Sequence, residues 1–105
     1  MAIVGSSKQE KKINELAEIV EKHYPKLNKW AVKGALRNGA NSAIKKSKFS
    51  EWAEMSKEKP SVRKEFFNSM LNEAKPTLQK LLGNKDVEDL IKLLKEENEK
   101  YVKDN

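Results

Sequence analysis

Cysteine is absent from this 105-residue sequence. Its absence excludes disulfide bonds and zinc sites built on thiolates, and it fits a protein of the reducing cytoplasm, where we expect the chain to work. Long apolar runs are also missing. No stretch approaches the roughly 18 residues that a bilayer-spanning helix needs, and the N-terminus lacks the apolar core of a signal peptide. The apolar side of the basic stretch at residues 24–49 is built of Ala and Gly, whereas a membrane-surface anchor needs a broad Leu or Phe face, so we expect no membrane partner.

Residues that build catalytic or metal sites are scarce. The four glycines are scattered and form no phosphate-cradling loop, and His23 is the only histidine. No nucleophile–base pair and no metal-ligand spacing is present. Glu51, Glu54 and Glu58 fall on one predicted helix face, which we interpret as solvated rather than as a cation site. We expect no enzyme, no catalytic residue, no metal site and no cofactor.

Acidic residues are missing from one contiguous stretch, residues 24–49, with the sequence YPKLNKWAVKGALRNGANSAIKKSKF. This acid-free stretch holds seven Lys or Arg residues and no Asp or Glu. Residues 1–50 carry eleven basic and four acidic residues, whereas residues 51–105 carry eleven and twelve. Such asymmetry within a chain of net charge +6 points to an anionic partner, with nucleic acid the leading candidate.

The spacing of apolar residues predicts an all-α fold. Ser7 and Glu10 have capping-box spacing, and they precede a helical stripe. That stripe consists of Ile13, Leu16, Ala17, Val20 and Tyr24. No window alternates with the period of a strand. We predict a compact bundle of about five or six short helices, forming a single helical domain over residues 1–105. Residues 1–6 are expected to be flexible and residues 102–105 frayed.

Proline, glycine and capping residues set the predicted helix boundaries. Pro25 ends the first helix and Asn28 begins the second. Ser61 is predicted to cap a fourth helix, Pro76 to begin a short fifth helix that Gly83 closes, and Asp86 to cap the last. Four aromatic side chains at helical spacing are predicted to lie in the core: Phe49, Trp52, Phe66 and Phe67.

The acid-free stretch allows two arrangements. On a continuous helix, residues four apart form one basic row, with Trp30 beside it and small residues on the opposite side. The row consists of Lys29, Lys33, Arg37, Asn41 and Lys45. If the helix instead ends at Asn38-Gly39, residues 28–57 form a helix-turn-helix-like unit. Its second helix would then present Lys45, Lys46 and Lys48.

Both arrangements favour a small non-catalytic nucleic-acid-binding domain. Cations would contact phosphates, and Trp30 or Asn41 would contact a base or sugar. DNA is the expected ligand, either single- or double-stranded. The lack of arginine-based readout favours modest sequence specificity or recognition of single strands. We predict an accessory module of a replication or recombination protein, from a phage or plasmid. The predicted contact residues are Lys26, Lys29, Trp30, Lys33, Arg37, Asn41, Lys45, Lys46 and Lys48.

Two other interpretations stay open. A small helical inhibitor, immunity protein or phage accessory factor would bind an acidic protein through the same basic face. Alternatively, the lysines are only a solvated helix face and Trp30 anchors the core after Pro25. In every case we expect a monomer rather than a stable oligomer.

Overall fold

The computed structural model describes the backbone of residues 6–104 and the side chains of residues 9–100. Five α-helices connected by short loops fill the described chain, which contains no strand. The helices are α1 (Ser6–His23), α2 (Lys29–Lys46), α3 (Trp52–Ser56), α4 (Pro60–Leu82) and α5 (Asn84–Asp104). The Cα radius of gyration is 13.0 Å, close to the ~13 Å of a compact 100-residue domain. The predicted all-α bundle is confirmed.

Parts of the terminal predictions lie outside the described residues. These parts are the flexibility of residues 1–5 and the side chain of Ser7 in the capping box. At the other end, α5 continues to Asp104, and Asn105 and the side chains of residues 101–105 lie outside the description. Fraying there stays a prediction.

The long helix α4 lies at the centre of the bundle. It packs against α2 on one side and α5 on the other, while α1 contacts α2, α3 and α5. The predicted stripe of α1 faces inward, since Ile13, Leu16, Ala17 and Val20 are at most 1% exposed. Helix periodicity therefore predicted the buried face of α1 correctly.

The four predicted core aromatics form one cluster. Phe49, Trp52, Phe66 and Phe67 are all buried. The rings of Trp52 and Phe66 meet edge to face, with centroids 5.5 Å apart and planes at 84°, a favourable geometry for aromatic pairs. The cluster joins α3 and the preceding loop to α4. Packing of these aromatic rings therefore stabilises α3, which has only five residues.

The predicted break at Asn38-Gly39 is wrong, because α2 continues through both residues. Gly39 is buried where α2 crosses α4. A Cβ atom on Gly39 would lie 2.5 Å from the carbonyl oxygen of Met70 and 2.9 Å from the Cβ of Ala74. The glycine is required by the closeness of the two helices, not by a turn. Its helical backbone also shows no positive φ.

The helix-turn-helix-like unit predicted over residues 28–57 is consequently not formed. Lys45 and Lys46 end α2, and Lys48 lies in the following loop. The next helix, α3, has five residues, too few to act as a recognition helix in a major groove. The continuous-helix alternative is the one that the structure adopts.

Three other boundary predictions are corrected. Pro76 lies inside α4. Ala74 and Leu78 on either side of it are buried, and their packing maintains the helix although Pro76 has no backbone N–H to donate. Ser61 is not a cap, since Pro60 already occupies the first helical turn, which suits its fixed φ. Asp86 lies in the first turn of α5, which begins at Asn84; a carboxylate there still complements the helix dipole.

Lys12 is the one cation buried in the core among the described side chains. It is 6% exposed, and its Nζ lies 5.0 Å from the ring centroid of Phe67. Burial lowers the pKa of Lys12 from 10.5 to about 8, and the charges of Glu15 and Glu97 offset part of this effect. The folded state therefore disfavours the protonated form of this amine.

We predict opposite effects of alanine at the two glycines of α2. Gly39→Ala should lower the free energy of unfolding by about 1–3 kcal/mol, because the new methyl group forces α2 and α4 apart. Gly34→Ala should raise it by about 0.5–1 kcal/mol, because no atom lies within 4 Å of a Cβ there. Urea unfolding followed by circular dichroism measures both. If both variants were stabilised equally, the close crossing at Gly39 would be wrong.

We also predict a pH dependence that belongs to Lys12. The folded-state pKa of about 8 lies below the ordinary 10.5, so between these values the unfolded chain binds more protons. The free energy of unfolding should therefore rise with pH over this window. Lys12→Met should remove the rise, whereas Lys11→Met, which changes an exposed neighbour, should keep it. Urea unfolding of the three proteins between pH 7.5 and 9.5 tests this, and identical slopes would contradict it.

Candidate functional site

The start of α2 is fixed by its capping residue. The side-chain oxygen of Asn28 accepts hydrogen bonds from the backbone N–H groups of Trp30, at 2.9 Å, and Ala31, at 3.2 Å. This confirms Asn28 as the predicted beginning of the helix. The cap satisfies two free N–H groups, and it sets which way the side chains of the first turn project.

The predicted basic row winds around α2. Each step of four residues advances by about 40°, so the row turns by about 160° between Lys29 and Lys45. One side of α2 faces the core, because Val32, Leu36 and Ala43 are buried there. We call the opposite side the solvent face of α2; it consists of Trp30, Gly34, Asn38, Asn41 and Lys45. Lys33 and Arg37 border it on the α1 side.

Trp30 is the most prominent feature of this face. Its side chain is 77% exposed, so the alternative in which it anchors the core is wrong. The Nζ of Lys33 lies 4.8 Å from the indole ring centroid, within range of a cation–π contact. A large apolar ring is thus held in solvent beside a cation, which is an arrangement suited to an aromatic or anionic ligand.

Carboxylates from other helices reach three of the predicted contact cations. Glu21 of α1 lies 3.7 Å from Lys29, and Glu73 of α4 lies 2.8 Å from Lys46. Arg37 donates two hydrogen bonds to Glu10 of α1: Nε to Oε2 at 3.0 Å and Nη2 to Oε1 at 2.7 Å. The stretch that lacks acids in the sequence is therefore not free of them in space.

The fork of Arg37 on Glu10 is the best-formed of these pairs. The hydrogen bonds from Arg37 hold the pKa of Glu10 below its usual value, and desolvation opposes them only in part. Conversely, the same bonds raise the pKa of Arg37. Both side chains remain about two-fifths exposed, so solvent screens the pair and its contribution to stability is modest.

The remaining predicted cations form no ion pair within the described part of the chain. Lys26, Lys45 and Lys48 are exposed, and Lys48 lies 5.7 Å from the ring centroid of Phe49. Three of the seven cations of the stretch are paired with carboxylates, so four carry no ion pair among the described residues. Asn41 accepts a long hydrogen bond of 3.5 Å from Gln9, which leaves its amide N–H groups free to face a ligand.

The other polar residues singled out from the sequence have local roles. The Nδ1 of His23 lies 3.0 Å from the carbonyl oxygen of Ile19, so the ring donates there and completes the last turn of α1. Glu54 accepts from the backbone N–H of Ser50 at 3.0 Å. Among the described residues, no three His, Asp or Glu side chains come together as metal ligands do.

Sequence reasoning missed two kinds of residue at this site. Glu10, Glu21 and Glu73 lie outside the acid-free stretch and reach it only through packing. Gly34 and Asn38 belong to the solvent face, and helical spacing from Trp30 would have found Gly34, which lies one turn away.

No described helix has the length and apolar character required to cross a membrane. Comparisons with protein-family models, curated proteins and solved structures found no match. Any function assigned to this chain must therefore be argued from its own residues.

Proposed function

We propose that this chain is a small nucleic-acid-binding protein of the cytoplasm that contacts its ligand through the solvent face of α2. The observation that carries the proposal is Trp30, 77% exposed, beside Lys33 on a helix with excess positive charge. Cations supply affinity for phosphates, and an exposed ring supplies stacking.

The polar groups of the face suit the same ligand. Asn38 and Asn41 are exposed near its middle, where their amides can hydrogen-bond to base edges or sugars. The one arginine of the stretch is occupied by Glu10, so the bidentate contact to guanine that arginine usually makes is not offered. These features favour DNA binding of modest sequence specificity. The predicted roles in replication, recombination and phage biology stay predictions.

The neighbouring carboxylates reduce the expected strength of binding. Four of the seven cations of the acid-free stretch have no ion pair among the described residues: Lys26, Lys33, Lys45 and Lys48. We therefore expect about three or four phosphate contacts rather than seven. A log–log salt slope of about −2 to −4 follows, depending on whether one or two strands are bound.

An acidic protein is the second candidate ligand. Tryptophan and arginine are the residues on which interface binding energy concentrates, and Trp30 is both exposed and next to a cation. Such a partner would use the same face and would also be released by salt. Binding to purified oligonucleotides distinguishes the two candidates.

We predict that two charge changes at this face act in opposite directions. Lys33→Glu should weaken oligonucleotide binding about tenfold at 50 mM salt, because one phosphate contact is lost. Glu10→Gln should strengthen binding about two- to fivefold, because it releases Arg37 from an exposed ion pair. Fluorescence anisotropy of a labelled oligonucleotide measures both.

Lys92→Glu is the matched control, because Lys92 is exposed on α5, which packs against α4 and α1. It makes the same change in net charge on a different helix. Because salt screens exposed charges, it should leave affinity within about twofold. Equal losses from Lys33→Glu and Lys92→Glu would show that only net charge matters and would refute the proposed face.

A further inference from the structure

The charge distribution around α2 bears on which form of nucleic acid it can bind. The middle of the solvent face is uncharged, because Trp30, Gly34, Asn38 and Asn41 are neutral. Lys45 lies at its C-terminal end, and three cations at its borders are paired with acids: with Glu10 and Glu21 on the α1 side, and with Glu73 on the α4 side.

A duplex fits this distribution poorly. A helix that enters a major groove meets a phosphate backbone on each side, and the motifs that bind in this way contact both backbones. Here Glu10 and Glu21 on the α1 side and Glu73 on the α4 side neutralise the cations that they pair with. A backbone along either border would therefore meet mostly paired cations. A single strand requires one path of cations only. Lys33 and Lys45 can supply it along α2, with Lys26 in the loop before the helix.

The surroundings of Trp30 leave room for a flat group. The ammonium of Lys33 lies over one face of the ring. At Gly34, one turn further along α2, no atom outside the local helix backbone lies within 4 Å of the position of a Cβ. The aromatic pairs found among the described residues join Phe49, Trp52, Phe66 and Phe67 only. Trp30 therefore has no ring stacked on it, and an unpaired base can occupy the face of the indole that Lys33 does not cover.

We infer that the ligand is single-stranded nucleic acid, with one base stacked on Trp30 and the adjoining phosphate held by Lys33. The inference rests on the proposed function and specifies which form of nucleic acid is the ligand. The path from Trp30 to Lys45 is about 22 Å long, which spans at most about six nucleotides at the spacing of a stacked strand. Stacking of this kind tolerates every base, because every base has a flat face.

The two tryptophans make the inference measurable. Trp52 is 5% exposed inside the aromatic cluster, so quenching of fluorescence by a bound base reports on Trp30. The experiment titrates the full chain with an eight-nucleotide single strand and with a hairpin duplex of matched sequence, at 50 mM salt. We expect the strand to quench the fluorescence and to bind at least tenfold more tightly than the duplex.

Variants of Trp30 test the stacking itself. Trp30→Ala should weaken strand binding about 5- to 150-fold, the value of one base–aromatic stack, and should leave the salt slope unchanged because no phosphate contact is lost. Trp30→Phe should retain most of the affinity. Because Trp30 is exposed, both variants should keep the wild-type circular dichroism spectrum.

The negative results of these experiments have different consequences. Absence of binding to every oligonucleotide at low salt overturns the proposed function and this inference together. Equal affinity for strand and duplex overturns the inference and leaves the proposed function standing, and so does a Trp30→Ala variant that binds the strand as wild type does.

Discussion

The close crossing of α2 and α4 at Gly39 is the constraint on which the rest of the structure depends. The backbone of α4 lies where a side chain at this position would be, so α2 can approach α4 there in one rotation about its own axis only. That rotation directs Leu36, Ala40 and Ala43 into the core. It thereby directs Trp30 and Lys45 into solvent. The position of the candidate site is thus a consequence of helix packing.

Much of the fold could be predicted from the sequence, and the errors have a common cause. The stripe of α1 and the aromatic cluster could be predicted from spacing alone, because apolar side chains at helical intervals share one face and that face packs into the core. Local propensity predicts helix boundaries at Gly39 and Pro76, and both predictions are wrong. In the folded chain, burial around these two residues outweighs the cost of an interior glycine or proline.

The candidate site was predicted in outline and not in detail. The acid-free stretch correctly indicated a helix with many cations. Glu10, Glu21 and Glu73 lie far from it in the sequence, and only the packing of α1 and α4 against α2 brings them close. Sequence spacing also suggested one straight basic row, whereas helix geometry winds that row around α2. The result is a face that is neutral in its middle, with Lys45 at its C-terminal end and paired charges at its borders. This distribution is the basis on which we propose a single-stranded ligand.

The central claim is that the solvent face of α2 binds a single strand, and the most direct test is a nuclear magnetic resonance titration. An eight-nucleotide strand is added to isotopically labelled protein, and backbone amide and indole N–H shifts are followed. The account predicts the largest changes at the Trp30 indole and at the amides of Gly34, Asn38 and Asn41, with little change along α5. Shifts concentrated on another helix, or none at saturating strand, would contradict it.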